Sequence, residues 1–168
     1  MAETTEPKRT ISLKPCDGDV VEVSSTIAKQ MQTIQSFLED DSFISTTTII
    51  PLPNVTAFQL SKIIVYLNYH SNGKAVTNDV KDSTKKFDEE FLKELEHDQL
   101  KELLHAANYL DVKEVLDFLC QAVADLIQDK SVKFVRKFFG LVKDYSVEKE
   151  EEIRRTHGWA FEGVEEDY

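Results

Sequence analysis

The sequence has few of the residues that build disulfide frameworks, nucleotide loops or zinc sites. Its 168 residues include two cysteines, Cys16 and Cys120, which lie far apart and in no paired motif. This usage predicts neither a disulfide framework nor a thiolate zinc site, and it suits a reducing compartment. The five glycines are scattered singly, so no glycine-rich phosphate loop precedes a helix. We therefore expect no cofactor and no metal.

Positive charge and long apolar runs are also scarce. There are 20 Lys and Arg against 31 Asp and Glu, which leaves a net charge of −11. Because nucleic-acid affinity depends on cationic contacts to phosphate, this balance argues against a nucleic-acid partner and favours a partner with a basic surface. No apolar run approaches the ~20 residues of a membrane span, and the polar segment 1–9 has no apolar signal core. The expected location is the nucleus and the cytoplasm.

The sequence offers no arrangement that predicts catalysis. Each histidine lacks a second His or Cys within one helical turn, so all four are expected on surfaces or helix faces: His70, His97, His105 and His157. Cys120 falls in an apolar helical segment, which is typical of a small buried hydrophobe, and no activating partner can be named for Cys16. Acidic runs such as 150–152 favour a solvated face over the opposed carboxylates of an acid–base pair. We therefore expect a protein that is not an enzyme.

The first fifty residues carry the strand patterns. Residues 10–14 alternate apolar and polar side chains, and residues 20–23 form a second β-prone run. Asp17-Gly18 between them is a turn dipeptide in which the glycine is expected to accept a positive φ. Residues 46–50 are β-branched and predict a third strand, which the two prolines that follow are expected to end. A small sheet is therefore predicted in the first half.

Helical patterns alternate with these strands. Ser24 or Ser25 is expected to cap a helix whose apolar residues recur at helical spacing: Ile27, Met31, Ile34 and Leu38. Asn54 is expected to cap a second helix over residues 55–67. The polar stretch 68–86 predicts a long mobile loop, which is unusual inside a compact domain.

The second half of the sequence is helical. Asp98 is expected to cap one helix, and Asp111 with Glu114 resembles a capping box for the next. That next helix is apolar on nearly every side, which is typical of a buried central helix. Gly140 is expected to end a short helix and Ser146 to cap the last one. These patterns predict an α+β fold with a small sheet packed on helices, followed by helices alone.

Large apolar side chains are concentrated beyond the central helix: Val132, Phe134, Val135, Phe138, Phe139, Leu141, Trp159 and Phe161. Two short helices cannot easily enclose so many large side chains. Either these helices pack back onto the domain, or they form an exposed groove for a partner. Composition alone favours neither alternative.

Several stretches of the chain resemble signature motifs of the Skp (S-phase kinase-associated) adaptor family. The longest are PLPNV (51–55), AANYLDVK (106–113) and CQAVADLI (120–127). The shorter stretches DG (17–18), IAKQ (27–30) and TI (33–34) are similar as well, and WAFE (159–162) looks like the plant branch. The similarity runs in one order from about Ile11 to Glu162, so it covers nearly the whole chain.

The resemblance implies a BTB/POZ-type domain followed by helices that are particular to the family. It implies a non-catalytic adaptor that links F-box proteins, the substrate receptors, to a cullin in a Skp–cullin–F-box ubiquitin ligase, a heteromeric complex that promotes ubiquitination and proteasomal degradation. The expected division of the chain is a disordered tail (1–9), a BTB/POZ-like domain (10–128), an F-box-binding helical extension (129–162) and an acidic tail (163–168). The alternative function is a BTB-type protein-interaction module in a non-ligase assembly.

The resemblance also assigns roles to single residues. Asn108 and Tyr109 match the family's cullin-binding pair; alternatively, Tyr109 packs at a helix end that Asn108 caps. Five residues match the family's F-box-binding positions: Val123, Ile127, Phe139, Leu141 and Trp159. The alternative for these five is ordinary core packing, which suits Val123 better than Trp159.

The chain departs from the family pattern most strongly between residues 131 and 141. The stretch SVKF (131–134) stands where Thr-Pro-Glu-Glu is usual, and a cation such as Lys133 near a helix N-terminus is unfavourable by some tenths of a kcal/mol. Gly140-Leu141 stands where Asn-Ile is usual, and Lys101 and His105 occupy positions that are commonly apolar. These differences indicate a divergent member of the family.

Overall fold

The computed structural model describes residues 10–39, 49–72, 78–143 and 145–164. The chain divides into two compact units, Met1–Cys120 and Gln121–Tyr168, called here the first and second units. Strands and helices occur together in the first unit, and the second contains helices, which confirms the predicted α+β class. The predicted domain limits at residues 9, 128 and 162 stay predictions.

The described residues form eight α-helices and one 3-10 helix. They are α1 (Ser25–Ala28), α2 (Gln32–Glu39), α3 (Ala57–Asn72), α4 (Asn78–Lys93), α5 (His97–Tyr109), α6 (Lys113–Ile127), α7 (Val132–Phe139), α8 (Val147–Thr156) and a 3-10 helix (Gly158–Phe161). None of these helices is long and apolar enough to cross a membrane.

A three-stranded sheet with the order β2–β1–β3 lies in the first unit. Its strands are β1 (Thr10–Pro15), β2 (Val21–Ser24) and β3 (Ile49–Leu52). β1 pairs antiparallel with β2 and parallel with β3, where Leu13 lies opposite Ile50. Because successive side chains point to opposite faces of a strand, alternate residues of β3 are buried. The first two predicted strands are confirmed.

The third predicted strand is confirmed at Ile49 and Ile50, while residues 46–48 lie outside the described residues. The prediction that Pro51 ends this strand is wrong, because β3 continues to Leu52. Proline is tolerated here because β3 is an edge strand of the described sheet, where a backbone position without an N–H need not interrupt the ladder.

The turn after β1 has a different basis from the one predicted. Gly18 does not adopt a positive φ. A Cβ atom at this position would lie 2.7 Å from the Cβ atom of Ala57, so the close approach of the start of α3 requires glycine. The Asp17 Oδ1 atom accepts a hydrogen bond from the Ala57 backbone N–H at 2.7 Å. The dipeptide therefore fixes the N-terminus of α3 against the sheet.

The predicted cap is confirmed for α1 and wrong for α3. Ser24 caps α1, since its Oγ atom accepts a hydrogen bond from the Ile27 N–H at 3.4 Å. The prediction of Asn54 as the cap of α3 is wrong: Thr56 Oγ1 accepts from the Gln59 N–H at 3.3 Å, and Gln59 Oε1 accepts from the Thr56 N–H at 2.9 Å. This reciprocal pair is a capping box.

The remaining helix starts of the first unit also differ from the prediction. α5 begins after Glu96, whose backbone N–H donates to Gln99 Oε1 at 3.0 Å, so the predicted cap Asp98 lies in the first turn instead. With Glu96 as the cap instead of Asp98, the helix begins two residues earlier, at His97. The single helix predicted to run from Ser25 to Leu38 is divided into α1 and α2.

The prediction of a mobile loop over residues 68–86 is wrong wherever the structure describes it. α3 continues to Asn72 and α4 begins at Asn78, so both flanks of the stretch are helical. Residues 73–77 lie outside the described residues. α4 is mostly polar, but its aromatic residues Phe87 and Phe91 are four apart and therefore lie on one side of the helix. A helix in a protein gains most of its stability from packing such a side against its neighbours.

An aromatic cluster holds α4 against its neighbours in the first unit. Tyr69 stacks on Phe87 with the ring centroids 3.8 Å apart, and the Tyr66 and Phe91 rings lie edge to face at 5.6 Å. His70 lies on α3, in agreement with the prediction of a surface or helix-face histidine, and it stacks on Tyr66 at 4.1 Å. Such ring pairs contribute about 0.5–1.5 kcal/mol each beyond their buried area.

His70 also contacts two carboxylates in this cluster. Its Nε2 atom lies 2.9 Å from Asp88 Oδ1 on α4, and its Nδ1 atom lies 3.6 Å from Glu114 Oε1 on α6. Burial, with Asp88 and Glu114 nearby, raises the pKa of the Tyr66 hydroxyl well above its usual range, so this hydroxyl stays protonated. The cluster therefore links three helices through ring stacking and charge.

The predicted helix is confirmed as α6, but the prediction that it is a buried central helix is wrong, because one side of it is exposed. Val115 and Leu119 are fully buried, whereas Cys120 is exposed. The prediction that Cys120 is a small buried hydrophobe is wrong, because this residue lies on the same helical face as the exposed Asp117 and Ala124. The apolar composition of a helix does not by itself show which face is covered.

Candidate functional site

The C-terminal end of α5 carries the predicted cullin-binding pair and has a defined geometry. The Val112 N–H donates to the Ala107 carbonyl at 3.0 Å, and the Asp111 N–H donates to the Asn108 carbonyl at 3.1 Å. These two bonds form a Schellman motif, in which Asp111 takes the left-handed position with φ of 51°. The prediction that Asp111 opens the capping box of α6 is therefore wrong. Asp tolerates this backbone region better than most residues do.

The start of α2 satisfies the carbonyls that α5 leaves free at this end. The Thr33 Oγ1 hydroxyl donates to the Tyr109 carbonyl at 2.8 Å, and the Thr33 N–H donates to the Leu110 carbonyl at 3.3 Å. The Gln32 N–H donates to the Asp111 carbonyl at 3.4 Å. The N-terminus of one helix thus pairs with the C-terminus of another, which satisfies polar groups of both and aligns opposite ends of their dipoles.

Asn108 and Tyr109 are presented differently by this fixed helix end. The Asn108 side chain is exposed while its backbone carbonyl takes part in the Schellman motif, and Tyr109 is half-buried. Lys101 and His105 precede Asn108 by seven and three residues and share its side of α5; His105 is exposed. The surface is therefore polar, with Lys101 paired to Asp98 at 3.2 Å, and its backbone is held in place from α2.

In the second unit, α7 is a helix that is capped at both ends. The buried Ser131 accepts a hydrogen bond on Oγ from the Phe134 N–H at 3.1 Å. At the other end Gly140 has φ of 67°, and the Leu141 N–H donates to the Arg136 carbonyl at 2.8 Å. The prediction that Gly140 ends this helix is confirmed. Glycine is required there because a side chain disfavours the left-handed conformation.

A salt bridge with three members ties α7 to α8 within the second unit. Arg136 Nη1 lies 2.6 Å from Glu150 Oε1, and Lys143 Nζ lies 2.8 Å from Glu150 Oε2. Hydrogen bonds from Lys143, which has the larger effect, and from Arg136 hold the pKa of the Glu150 carboxyl below its usual range. Ser146 caps α8 as predicted, since its Oγ atom accepts from the Lys149 N–H at 3.3 Å.

The apolar residues of the second unit are divided between buried and exposed positions. Phe138 is buried, and its ring meets that of Phe139 edge to face at 4.9 Å. Phe139 is nevertheless 45% exposed, Leu141 is 59% exposed and Trp159 is 74% exposed. Neither of the two alternatives, core or groove, therefore describes the whole set.

The five predicted F-box-binding residues fall into three groups. Val123 is only 7% exposed, which agrees with the alternative of ordinary core packing, and Ile127 is half-buried. Phe139, Leu141 and Trp159 are exposed within the second unit. Sequence reasoning did not single out Val142, which is 88% exposed, because a residue outside a helix has no periodic signal to mark it. Exposed Tyr145, which also lies outside the helices, was missed for the same reason.

The described residues offer no other chemistry at these surfaces. No group of three or more His, Cys, Asp and Glu side chains in the described ranges is arranged to hold a metal ion. The groups that remain are apolar side chains in the second unit and a polar helix end in the first. Both are suited to contacts with other proteins.

Two family models match this chain. The model described as "Skp1 family, tetramerisation domain", which is a model of the Skp1 POZ domain, matches residues 9–72. The model described as "Skp1 family, dimerisation domain" matches residues 113–160. The first match contains the whole sheet and α1–α3, and it confirms the BTB/POZ-type fold of the first unit. The second contains α6, α7 and α8 with most of the 3-10 helix.

Plant proteins are similar to this chain over nearly its whole length. SKP1-like protein 20 of Oryza sativa subsp. japonica is 41% identical, and the alignment covers 96% of this chain and 100% of that protein. SKP1-like protein 13 of Arabidopsis thaliana is 40% identical, with 90% of this chain and 97% of that protein covered. SKP1-like protein 10 of Arabidopsis thaliana is 43% identical with the same coverage, 90% and 97%.

Proposed function

The chain belongs to the Skp1 family, and from this premise we propose that it is a non-catalytic adaptor that links F-box proteins to a cullin in a Skp–cullin–F-box ubiquitin ligase. Ubiquitination and proteasomal degradation of the recruited substrates would follow. The observation that carries the proposal is the exposure of Phe139, Leu141 and Trp159 on a unit whose helices are capped and cross-linked. We propose the nucleus and the cytoplasm as the location.

The exposed apolar residues of the second unit support binding of an F-box helix bundle. Trp159 is the single tryptophan of the chain, and 74% of its surface is exposed. Tryptophan is enriched among the residues that dominate binding energy at interfaces, where truncation to alanine costs at least about 2 kcal/mol. Phe139 and Leu141 extend the same apolar surface chemistry. A partner that covers these side chains removes their apolar surface from water, which favours binding.

The end of α5 supports binding of the cullin at a separate surface. The backbone around Asn108 and Tyr109 is fixed, because the Thr33 hydroxyl of α2 donates to the Tyr109 carbonyl and the Asp111 N–H donates to the Asn108 carbonyl, so little order is lost when a partner docks there. The neighbouring His105 adds an exposed polar side chain to the same side of the helix. A polar surface of this kind suits an interface that must remain soluble when the partner is absent.

An adaptor with two surfaces needs no catalytic group. It holds the substrate receptor and the cullin in one complex, so the substrate reaches the ubiquitin-charged enzyme at a high effective concentration. This mechanism accounts for capped helices and exposed side chains at both surfaces without a reacting centre.

Binding of two fragments by the purified full chain tests the proposal. One fragment is an F-box and the other is the N-terminal part of a cullin, and both are titrated calorimetrically. Trp159→Ala is expected to weaken F-box binding more than roughly thirtyfold and to leave cullin binding unchanged. Phe58→Ala is the matched control, because Phe58 is an exposed aromatic residue of the first unit.

The second variant, Asn108→Lys with Tyr109→Lys, is expected to weaken cullin binding at least roughly tenfold and to leave F-box binding unchanged. Its control is a double substitution to Lys at Val65 and Asn68, two exposed residues of α3. Normal binding by both test variants would refute the site assignments. If neither fragment binds the wild-type chain, the alternative of a BTB-type interaction module outside ligases replaces the proposal.

A further inference from the structure

The charge of the chain changes sign around α7. Residues 130–143 contain five cations and no Asp or Glu, although the whole chain carries a net charge of −11. The five are Lys130, Lys133, Arg136, Lys137 and Lys143. A local reversal against such a background indicates a surface with its own electrostatic requirement.

Three of these cations have contacts within the second unit. Arg136 and Lys143 pair with the Glu150 carboxylate at 2.6 and 2.8 Å. The Lys130 ammonium lies over the Phe134 ring, 5.9 Å from its centroid. Lys133 and Lys137 are exposed, and their spacing of four residues places them on one side of α7. These two residues are called here the cationic edge.

An apolar edge runs beside the cationic edge on the exposed face of α7. Val132 and Phe139 are both 45% exposed, and residues seven apart share one side of a helix. Since each residue turns the helix by about 100°, Lys133 lies about a quarter turn around from Val132. The opposite side of α7 carries the buried Phe138. A partner that covers the apolar edge therefore brings its own rim next to the cationic edge.

An unpaired cation beside a covered apolar surface is unfavourable in free energy, and this determines which chemical groups the partner's rim must carry. A Lys ammonium that loses water at an interface needs a carboxylate or other acceptor in return. Resting on the proposed function, we infer that the cationic edge selects F-box partners that carry Asp or Glu beside their apolar contact with Val132 and Phe139. Selection acts through complementary rim charges, which change partner choice and salt dependence more than they change maximal affinity.

Other occupants of this surface fit the molecule less well. A nucleic acid would face the repulsion of a chain with net charge −11, and exposed Glu151 and Glu152 lie in the same unit. A second copy of this chain is acidic overall and is a separate outcome of the test below. An F-box partner is favoured because the apolar edge is continuous in sequence with Leu141, which the proposed function already assigns to that contact.

The test compares charge reversal at two lysine pairs of the full chain. Lys133→Glu with Lys137→Glu changes the cationic edge, and Lys85→Glu with Lys86→Glu makes the same change of charge at exposed residues of α4. The probe is an F-box fragment rich in Asp and Glu that the wild type binds. A second version of that fragment has these acids replaced by Asn and Gln. Binding is measured by calorimetry at about 50 mM and about 300 mM NaCl, a range over which screening of exposed pairs changes strongly.

The cationic-edge variant is expected to bind the acidic fragment roughly tenfold more weakly than wild type at the lower salt concentration, while the α4 control stays within about twofold. High salt and the neutral fragment should both reduce the difference to about twofold or less. Circular dichroism checks that α7 survives: Lys133→Glu places an acid near the helix N-terminus, which is favourable, and this offsets Lys137→Glu in the last turn.

Three results would overturn the inference. If Trp159→Ala abolishes binding but the cationic-edge variant binds like wild type, the proposed function stands and the inference fails alone. If no F-box fragment binds the wild type, both fail together. If sedimentation shows that the charge reversal changes the mass of the free chain while fragment binding is unaffected, the occupant is a second copy of this chain.

Discussion

The two units of this chain treat large apolar side chains in opposite ways. In the first unit they are fully buried at many positions, among them Leu13, Met31, Leu60, Ile63 and Leu103. In the second unit, among the described residues, only Val123 and Phe138 are buried hydrophobic residues, and seven large hydrophobic residues are exposed. These seven are Val132, Phe139, Leu141, Val142, Tyr145, Val147 and Trp159.

The two units are therefore stabilised by different interactions. The first unit has a core, so apolar burial dominates its stability. The second unit has little core of its own, and its helices rely on end caps at Ser131, Gly140 and Ser146 and on the Glu150 salt bridge. Such local contacts each contribute little compared with a buried core. We therefore expect the order of the second unit to depend most on a partner.

The largest expected effect is a core truncation in the first unit. Leu103 is fully buried on α5, so Leu103→Ala removes apolar contacts and leaves a cavity. We expect the free energy of unfolding to fall by about 3 kcal/mol. Urea denaturation followed by circular dichroism measures this change.

Leu141→Ala in the second unit is the matched control, since Leu141 is 59% exposed. We expect a change below about 0.5 kcal/mol. If the two substitutions cost the same, the contrast between a self-sufficient unit and a dependent one is wrong.

The next effect concerns the order of the second unit. Amide exchange over residues 131–161 is expected to be faster than in α5, and to slow by roughly tenfold or more when an F-box fragment binds. The physical reason is that exposed apolar residues gain cover only in the complex. Hydrogen–deuterium exchange with mass spectrometry makes the measurement. Equal protection of residues 131–161 with and without the fragment would rule out ordering by the partner.

A smaller effect is expected in the aromatic cluster that replaced the predicted loop. His70→Ala removes the stack on Tyr66 and the contact with Asp88. We expect a loss of about 1–2 kcal/mol in the free energy of unfolding, measured by urea denaturation. His105→Ala on the exposed side of α5 is the control and should change stability by less than about 0.5 kcal/mol. An unaffected His70→Ala protein would show that the cluster does not hold α4.

The smallest effect belongs to the Glu150 salt bridge in the second unit. The pKa of the Glu150 carboxyl is lowered below its usual range in the folded chain. The stabilising effect of the salt bridge is therefore complete above the ordinary carboxyl pKa and is lost as the pH falls through the lowered pKa. Amide exchange of α8, corrected for intrinsic pH dependence, should therefore rise in acid. Glu150→Gln should show this faster exchange already at neutral pH, and Glu151→Gln, at an exposed neighbour, should not. Identical exchange in both variants would mean that the salt bridge does not order α8.

Local signals explain which predictions from the sequence are confirmed. The strands β1 and β2, the Ser24 and Ser146 caps and the Gly140 stop each depend on residues within one turn or one strand. The incorrect predictions of helix caps involve a choice among nearby polar residues. Thr56 caps α3 instead of Asn54 because only Thr56 can exchange hydrogen bonds with Gln59. Sequence spacing alone does not rank such neighbours.

The sequence by itself determined the α+β class, the first two strands, the caps at Ser24 and Ser146 and, through its motifs, the family. The tertiary structure alone decided which side of each element is covered. The stretch 68–86 is helical on both flanks because Tyr66 and Tyr69 of α3 meet the Phe91 and Phe87 rings of α4. Cys120 is exposed while Val123 is buried on the same helix. Burial is a property of contacts between residues far apart in the chain, and no periodic pattern contains them.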